Sequence, residues 1–304
     1  MLVVVATIAP IFLIIVAGFG LRRTKLFPAE AWPPVERITY YVLFPSLLFV
    51  SLTTADMNNL PIGEMAVGVI GTPAIMALLL LILRPKLALT GPAFTSLMQG
   101  GIRFNTYIGV PLVIAFYGAD TIALGALFIG FMVPFINVVC VWVLAKYGDG
   151  EVNTRGTLGE MARNPLILSC LAGIAVNVSG LGLAAPFETF FDLLGRAAPP
   201  VGLLCVGAGL DIVAARAGRA WVALSAAIKL AVMPLIALLL ALVLGLDDLS
   251  MKVLVIFHAL PTAPSAYILA RQMGGDARLM AGMLTAQTAL GIVTLPLWIS
   301  LLGA

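Results

Sequence analysis

Gln99-Gly100-Gly101-Ile102-Arg103-Phe104-Asn105-Thr106-Tyr107-Ile108-Gly109-Val110-Pro111 lies midway along an apolar run that covers roughly residues 88–117. The stretch carries three glycines, an arginine, an asparagine and a proline. An uninterrupted spanning helix avoids this set, because lipid offers no partner to a freed N–H or C=O and each one left unpaired costs several kcal/mol. Pro111 has no N–H for the carbonyl of Tyr107 four residues earlier, and its ring crowds that carbonyl. Arg103 is 17 residues beyond Lys86, about 25 Å of helix at 1.5 Å per residue, so the stretch sits deep. Backbone interrupted at that depth persists only where protein buries it or where it lines a wet cavity. The spacing predicts a discontinuous helix broken at 103–111, the kind of element on which secondary transporters bind substrate.

The remainder of the chain points the same way. Of 304 residues, 62% are hydrophobic and 10% charged, which excludes an ordinary water-soluble domain and predicts an all-α integral membrane protein. Ten spans fit the hydropathy, at roughly 2–21, 35–54, 64–83, 88–117, 120–146, 163–180, 187–211, 219–245, 249–271 and 277–302. Of the 17 lysines and arginines, 13 fall in odd-numbered loops and only Lys252 in an even-numbered one, with Arg103, Arg196 and Lys229 inside spans. The positive-inside rule then places both termini outside the cytoplasm, in the cell inner membrane. The first apolar run has no basic residue before it and Arg22, Arg23 and Lys25 after it, the pattern of an uncleaved first span. The net charge of +3 reflects loop cations and predicts membrane lipids, not nucleic acid, as the surrounding partner. Cys140, Cys170 and Cys205 all fall in apolar runs and read as small apolar packers. The sequence carries no metal-binding pair, nucleophile elbow or phosphate loop, so neither metal nor cofactor nor enzyme chemistry is expected.

A weak internal repeat organises the spans. Pro10-Ile11-Phe12-Leu13-Ile14-Ile15-Val16-Ala17-Gly18 aligns with Pro165-Leu166-Ile167-Leu168-Ser169-Cys170-Leu171-Ala172-Gly173 at an offset of 155. Ser46-Leu47-Leu48-Phe49-Val50 aligns with Gly202-Leu203-Leu204-Cys205-Val206, and Gly118-Ala119-Asp120 with Gly274-Gly275-Asp276, both at 156. Each half then holds five spans, and an odd number inverts the second half, as in many secondary transporters. The expected organisation is a first repeat at 1–146, a cytoplasmic linker at 147–162 and a second repeat at 163–304. Moving Asn105 forward by 156 lands on Pro261, in Phe257-His258-Ala259-Leu260-Pro261-Thr262-Ala263-Pro264-Ser265. Pro261 and Pro264 leave the carbonyls of Phe257 and Leu260 without helical donors, so a second break is expected at 258–264. Two broken helices at one depth, spans 4 and 9, can cross and gather four half-helix ends.

These residues resemble the auxin efflux carrier family, in particular its prokaryotic members, which are related to the plant auxin carriers and to bile-acid-type sodium symporters. The likeness rests on Asn105-Thr106, Gly109-Val110-Pro111-Leu112 and Tyr117-Gly118 in the fourth span. It extends to Ala259-Leu260-Pro261, Ala270-Arg271-Gln272 and Asp276 in the ninth, and to Pro200, Leu203, Gly207 and Leu210 in the seventh. The resemblance implies a transporter that moves a small carboxylate, auxin-like acids included, by an elevator motion. It implies a scaffold of spans 1, 2, 6 and 7 and a mobile part of spans 3–5 and 8–10; small residues such as Gly202, Gly207 and Gly209 suit a close scaffold interface, and a homodimer through the scaffold is the expected assembly. It also implies that Asn105 engages the substrate carboxylate.

Read from the residues alone, Asn105 can donate and accept without a charge penalty, or it can satisfy carbonyls freed by the break. Thr106, Tyr107 and Pro111 belong to the same wall, and Pro261, Thr262 and Ser265 to its counterpart in the ninth span. Ser46, Gln99, Asn137, Gln287 and Thr288 are further polar residues placed to line a cavity or to coordinate sodium. Arg103 either supplies the counter-charge of an anion or bonds to freed carbonyls, since a guanidinium near mid-bilayer costs about 2.5 kcal/mol or more unless paired or wet. His258 is the single histidine and titrates near neutrality in water; it is either a proton-coupling group or a hydrogen-bonded filler. Lys229 in the eighth span has the same two readings as Arg103, with snorkelling to the cytoplasmic face as a further alternative, and Arg196 is expected to pair with Asp192 four residues earlier. No carboxylate lies firmly at the bilayer centre, which favours anion movement driven by a gradient or the membrane potential, or coupled through His258. A sodium- or proton-coupled carboxylate symporter, and a sensor or channel, are the alternatives.

Overall fold

The computed structural model describes residues 2–24, 27–54, 60–118, 121–149, 164–216 and 218–303. Most of the expected linker, from 150 to 162, lies outside these residues, as do Lys25, Ala119, Asp120, Arg155 and Arg163. Every described regular element is helical. The first half contains α1 (Leu2–Leu21), α2 (Trp32–Ile38), α3 (Phe44–Thr53), α4 (Ile62–Leu83), α5 (Gly91–Ile102), α6 (Thr106–Tyr117) and α7 (Ile122–Tyr147). The second contains α8 (Pro165–Ser179), α9 (Ala185–Ala208), α10 (Ile212–Arg216), α11 (Arg219–Ala227), α12 (Met233–Leu244), α13 (Asp248–Ala259), α14 (Ser265–Gln272) and α15 (Ala277–Leu301). Two π-helical turns, Thr39–Leu43 and Ile228–Val232, join α2 to α3 and α11 to α12.

Seven helical segments are long and apolar enough to cross a membrane, and Pro165–Ser179 is a shorter apolar helix. Their outward faces are aliphatic: Leu13, Val16, Leu239, Leu242 and Val243 are all exposed, as expected of side chains that meet lipid chains. The chain is therefore a multi-pass membrane protein. Helix starts are set by short polar side chains that accept from orphan amides. Thr90 caps α5 through Ala93, Asn164 caps α8 through Leu166, Asp247 caps α13 through Ser250, and Asp276 caps α15 through Leu279. Arg196 does pair with Asp192, at 2.8 Å.

Contacts divide the chain into two compact units. The first comprises Met1–Ile62, Thr106–Gly130 and Arg163–Gly209. Its strongest association is α1 with α9, and the cause is glycine. A Cβ on Gly207 would collide with the carbonyl of Ile15, and one on Gly18 with the carbonyl of Leu204. The two backbones touch with nothing between them, the small-residue packing that substitutes for hydrophobic drive where lipid is the solvent. Arg22 adds a hydrogen bond of 2.5 Å from its guanidinium to the carbonyl of Ala208. In α6 Tyr107 stacks at 4.9 Å on Phe44, and a Cβ on Gly202 of α9 would fall 2.9 Å from that tyrosine ring.

The second unit comprises Gly63–Asn105, Phe131–Ala162 and Leu210–Ala304. Here α15 is the central helix, packed against α5, α10, α11, α13 and α14. Its buried side includes Met280, Met283, Leu284, Gln287, Thr288 and Leu295. The cysteines are reduced and buried, Cys140 in this unit and Cys170 and Cys205 in the other.

Gly207→Ala should lower the thermal unfolding midpoint and the yield of folded protein, because its methyl meets backbone that cannot move aside. Gly209→Ala should be tolerated, since a Cβ there stays 3.4 Å from its nearest neighbours. Equal behaviour of the two variants in a detergent melting assay would refute the close-contact account.

Candidate functional site: the two helix interruptions

Helix α5 is well founded at its start and stops at Ile102. Arg103 is extended, with φ −73° and ψ 157°, and its amide still reaches the carbonyl of Gln99 at 2.9 Å. Regular helix resumes at Thr106. The interruption is thus Arg103-Phe104-Asn105, narrower than 103–111. Pro111 sits inside α6 without ending it, since one missing donor is cheaper for a helix than a second full break. The ninth apolar segment behaves alike. α13 stops at Ala259, Leu260 is extended with ψ 146°, and α14 resumes at Ser265. The extended Leu260 is what a following proline imposes, because the ring clashes with a helical predecessor.

Both interruptions in the second unit are buried, with Asn105, Thr262 and His258 fully enclosed and Arg103 at 7% exposure. Burial obliges the protein to answer the freed peptide groups itself. Gln287 of α15 does so. Its Nε2 donates to the carbonyl of Gly100 at 2.9 Å and to the Oγ of Ser225 at 2.9 Å, with the Ser225 carbonyl at 3.3 Å. Its Oε1 accepts from the amide of Thr262 at 2.8 Å. One amide side chain therefore ties the end of α5, the middle of α11 and the break after α13. Gly100 makes this approach feasible: a Cβ there would lie 2.5 Å from the Oγ of Ser225.

A second link joins the interruptions directly. The Nη2 of Arg103 donates to the Oγ of Ser265 at 3.2 Å, and the rings of Phe104 and Phe257 stand 6.1 Å apart. Among the described residues the Nε and Nη1 of Arg103 have no hydrogen-bond partner, and neither do the two amide atoms of Gln99, the Oγ1 of Thr262 or the Nζ of Lys229. Ion pairs among the described residues are Arg196–Asp192 and Lys252–Asp248. Neither buried cation of this unit takes part in one. Lys229 does not snorkel: it is 0% exposed, because the π-helical turn that carries it packs against α5, α13 and α15. His258 has its Nδ1 2.8 Å from the carbonyl of Leu254.

The sequence-derived candidates thus fall into two sets. Arg103, Asn105, His258, Pro261, Thr262 and Ser265 gather at the interruptions of the second unit. Asn137 belongs to the same unit, half-buried on α7. Ser46, Thr106, Tyr107 and Pro111 belong to the first unit, where the Oγ of Ser46 is turned to the carbonyl of Val42 on its own helix at 2.7 Å. Gln287 had a visible signal, an amide in an otherwise apolar segment, but its partners are 25 to 187 residues distant and no spacing rule connects them.

A family model described as membrane transport protein matches residues 3–157 and 154–299. The chain belongs to this family. The resemblance to auxin efflux carriers therefore holds. As a membrane transport protein it has no bond to break, and its site binds and releases instead of transforming. Over 302 residues it is 24% identical to an "Uncharacterized transporter" of Methanothermobacter thermautotrophicus, covering 96% of each chain. It is 24% identical over 296 residues to a "Putative malonate transporter" of Rhizobium meliloti, covering 94% of this chain and 92% of the other. With the "Uncharacterized transporter YfdV" of Escherichia coli it shares 22% over 308 residues, 97% of this chain and 96% of the other.

Gln287→Leu should lower the unfolding midpoint while roughly preserving the side-chain volume. It strands the Gly100 carbonyl and the Thr262 amide, each at a cost of about 1–3 kcal/mol when buried. Gln287→Glu keeps the acceptor for Thr262 and loses the donor, so it should fall between. A leucine variant as stable as the parent in thermal melting would show that the clamp carries no weight.

Proposed function

We propose that this membrane transport protein carries a small organic anion, a carboxylate such as malonate, and holds it at the interruptions of the fourth and ninth apolar segments. The observation that carries the reading is Arg103. A guanidinium at 7% exposure, with a serine hydroxyl as its hydrogen-bond partner and no carboxylate paired to it among the described residues, is a positive charge that the protein has left for something else to answer. Asn105, two residues on, adds an amide that can donate to a carboxylate. The relative named for malonate supports the same substrate class.

The wider proposal is a ten-span inverted repeat in the inner membrane with both termini outside. Seven long apolar segments, one short apolar helix and the two interrupted segments 91–117 and 248–272 support a count of ten. The elevator motion, with spans 1, 2, 6 and 7 as scaffold, is supported by the division of contacts: 1–62 and 163–209 group together, while 63–105 and 210–304 form the other body. Residues 106–130 group with the first. A homodimer through the scaffold completes this reading.

Asn105→Ala removes one or two hydrogen bonds to a charged ligand, worth about 1.5–3 kcal/mol each. Malonate affinity of the purified protein should then fall roughly ten- to a hundredfold, at about 1.4 kcal/mol per decade, and uptake into liposomes should fall with it. Arg103→Ala should weaken binding more at low salt than at high salt if the guanidinium acts at a distance, because salt screens separated charges. Unchanged affinity in Asn105→Ala would place the site elsewhere. No binding of malonate or of small monocarboxylates to the parent would remove the anion reading altogether.

A further inference from the structure

Lys229 is the second buried basic side chain of the second unit after Arg103, and the binding scheme above does not use it. It stands ten residues after Arg219 at the start of α11 and fifteen before Leu244 at the end of α12. At 1.5 Å per residue that is about 15 Å from one end and about 22 Å from the other, so the side chain originates near mid-segment. It is fully buried, and its Nζ has no hydrogen-bond partner among the described residues. The residue belongs to the π-helical turn Ile228–Val232, an insertion that costs regular hydrogen bonding and recurs at functional sites.

Helices α5, α11, α12, α13 and α15 pack around this turn. Their ionisable groups are few. α5 and α12 contribute none; Arg219 on α11, Asp248 and Lys252 on α13 and Arg278 on α15 all sit at or near helix starts. At depth, among the described residues, there is only His258, on the α13 helix that packs against the turn. The turn also abuts the first interruption: a Cβ on Gly101 would lie 3.3 Å from the Cγ2 of Ile228, and Arg103 follows two residues later. Among the described residues this amine has a neighbouring basic group and neither a carboxylate nor an acceptor. A carboxylate arriving at the adjacent interruption would supply the missing partner, and an opposite charge in a low-dielectric interior favours the ammonium strongly.

We propose that Lys229 is the proton carrier of this transporter, taking up one proton when the anion binds and returning it when the anion leaves. The step is the conversion of the amine and one proton to the ammonium; the proton comes from the water on the loading side and departs on the releasing side, and no bond to the substrate forms. Anion and proton affinities are then linked reciprocally, and a monoanion crosses with no net charge. The proposal rests on the anion reading above and adds the coupling ion and its residue.

The test is calorimetric titration of malonate into the purified full chain at a pH where malonate is fully ionised. It is run in two buffers of different ionisation enthalpy, so that protons taken up are counted directly. The parent should take up about one proton per anion bound. Lys229→Met should bind more weakly and take up none, and Lys229→Arg, which keeps its charge throughout, should bind without proton uptake. Replacing a buried, unpartnered amine by an apolar side chain of similar length is not expected to harm folding, and equal or higher melting points for the methionine variant check that. Binding to the parent without proton uptake overturns the proposal alone. Uptake that survives in both lysine variants, or that survives in Lys229→Met and is lost in His258→Gln, overturns the assignment to Lys229. Absence of malonate binding to the parent overturns the anion reading and this proposal with it.

Discussion

The hydrogen bonds of Gln287 are the constraint on which the second unit depends. Interrupting a helix within an apolar segment releases peptide groups that neither lipid nor an aliphatic core can satisfy. Gly100, Ser225 and Thr262 come from three different segments, and one carboxamide serves all of them. The bonds fix two interruptions relative to one rigid helix, α15, and so hold Arg103 within reach of Ser265. A site built on broken helices is only as definite as whatever stops the loose ends from rearranging, and here that is a side chain which itself needs no ion and no water.

The charges of this unit follow from the same economy. Its deep basic groups, Arg103, Lys229 and His258, outnumber its deep carboxylates, of which the described segments have none. The negative ends of α5 and α13 point into the interruptions and offset part of that excess. No cluster of three or more His, Cys, Asp or Glu side chains exists among the described residues.

The helical membrane character of the chain was legible in composition and apolar run length. Where the helices stop was legible to within a few residues, because Gly100-Gly101 and the prolines at 261 and 264 are residues that an unbroken span does without. Pro111 misled: its missing donor falls inside a helix that had already restarted at Thr106, so the local rule was correct and the break lay upstream. Lys229 misled for another reason. Snorkelling is the default for a lysine in a span, but which way a side chain leaves a helix depends on the neighbours around it, and a π-helical turn shifts that direction by a register no periodicity reveals. Gln287 showed a polar residue in an apolar helix, yet its role lies in contacts across long sequence separations. Whether Ser46 serves a cavity was equally hidden, since its hydroxyl has an acceptor one turn back at Val42.

The glycine contact between α1 and α9 has a thermodynamic consequence. Helices that approach until Gly207 meets the Ile15 backbone are held by dispersion and a few polar contacts, with lipid on one side of the exchange and protein on the other. No apolar surface moves between water and the interior when such a pair forms, so the large heat-capacity change that marks hydrophobic burial has no source there. The attraction between these two helices should therefore vary little with temperature, and should weaken neither on cooling nor with the cosolvents that act by wetting apolar surface. What governs it instead is how well the surrounding acyl chains pack against the same grooved surfaces, which makes the composition of the bilayer, more than the heat of the medium, the variable to which this half of the molecule answers.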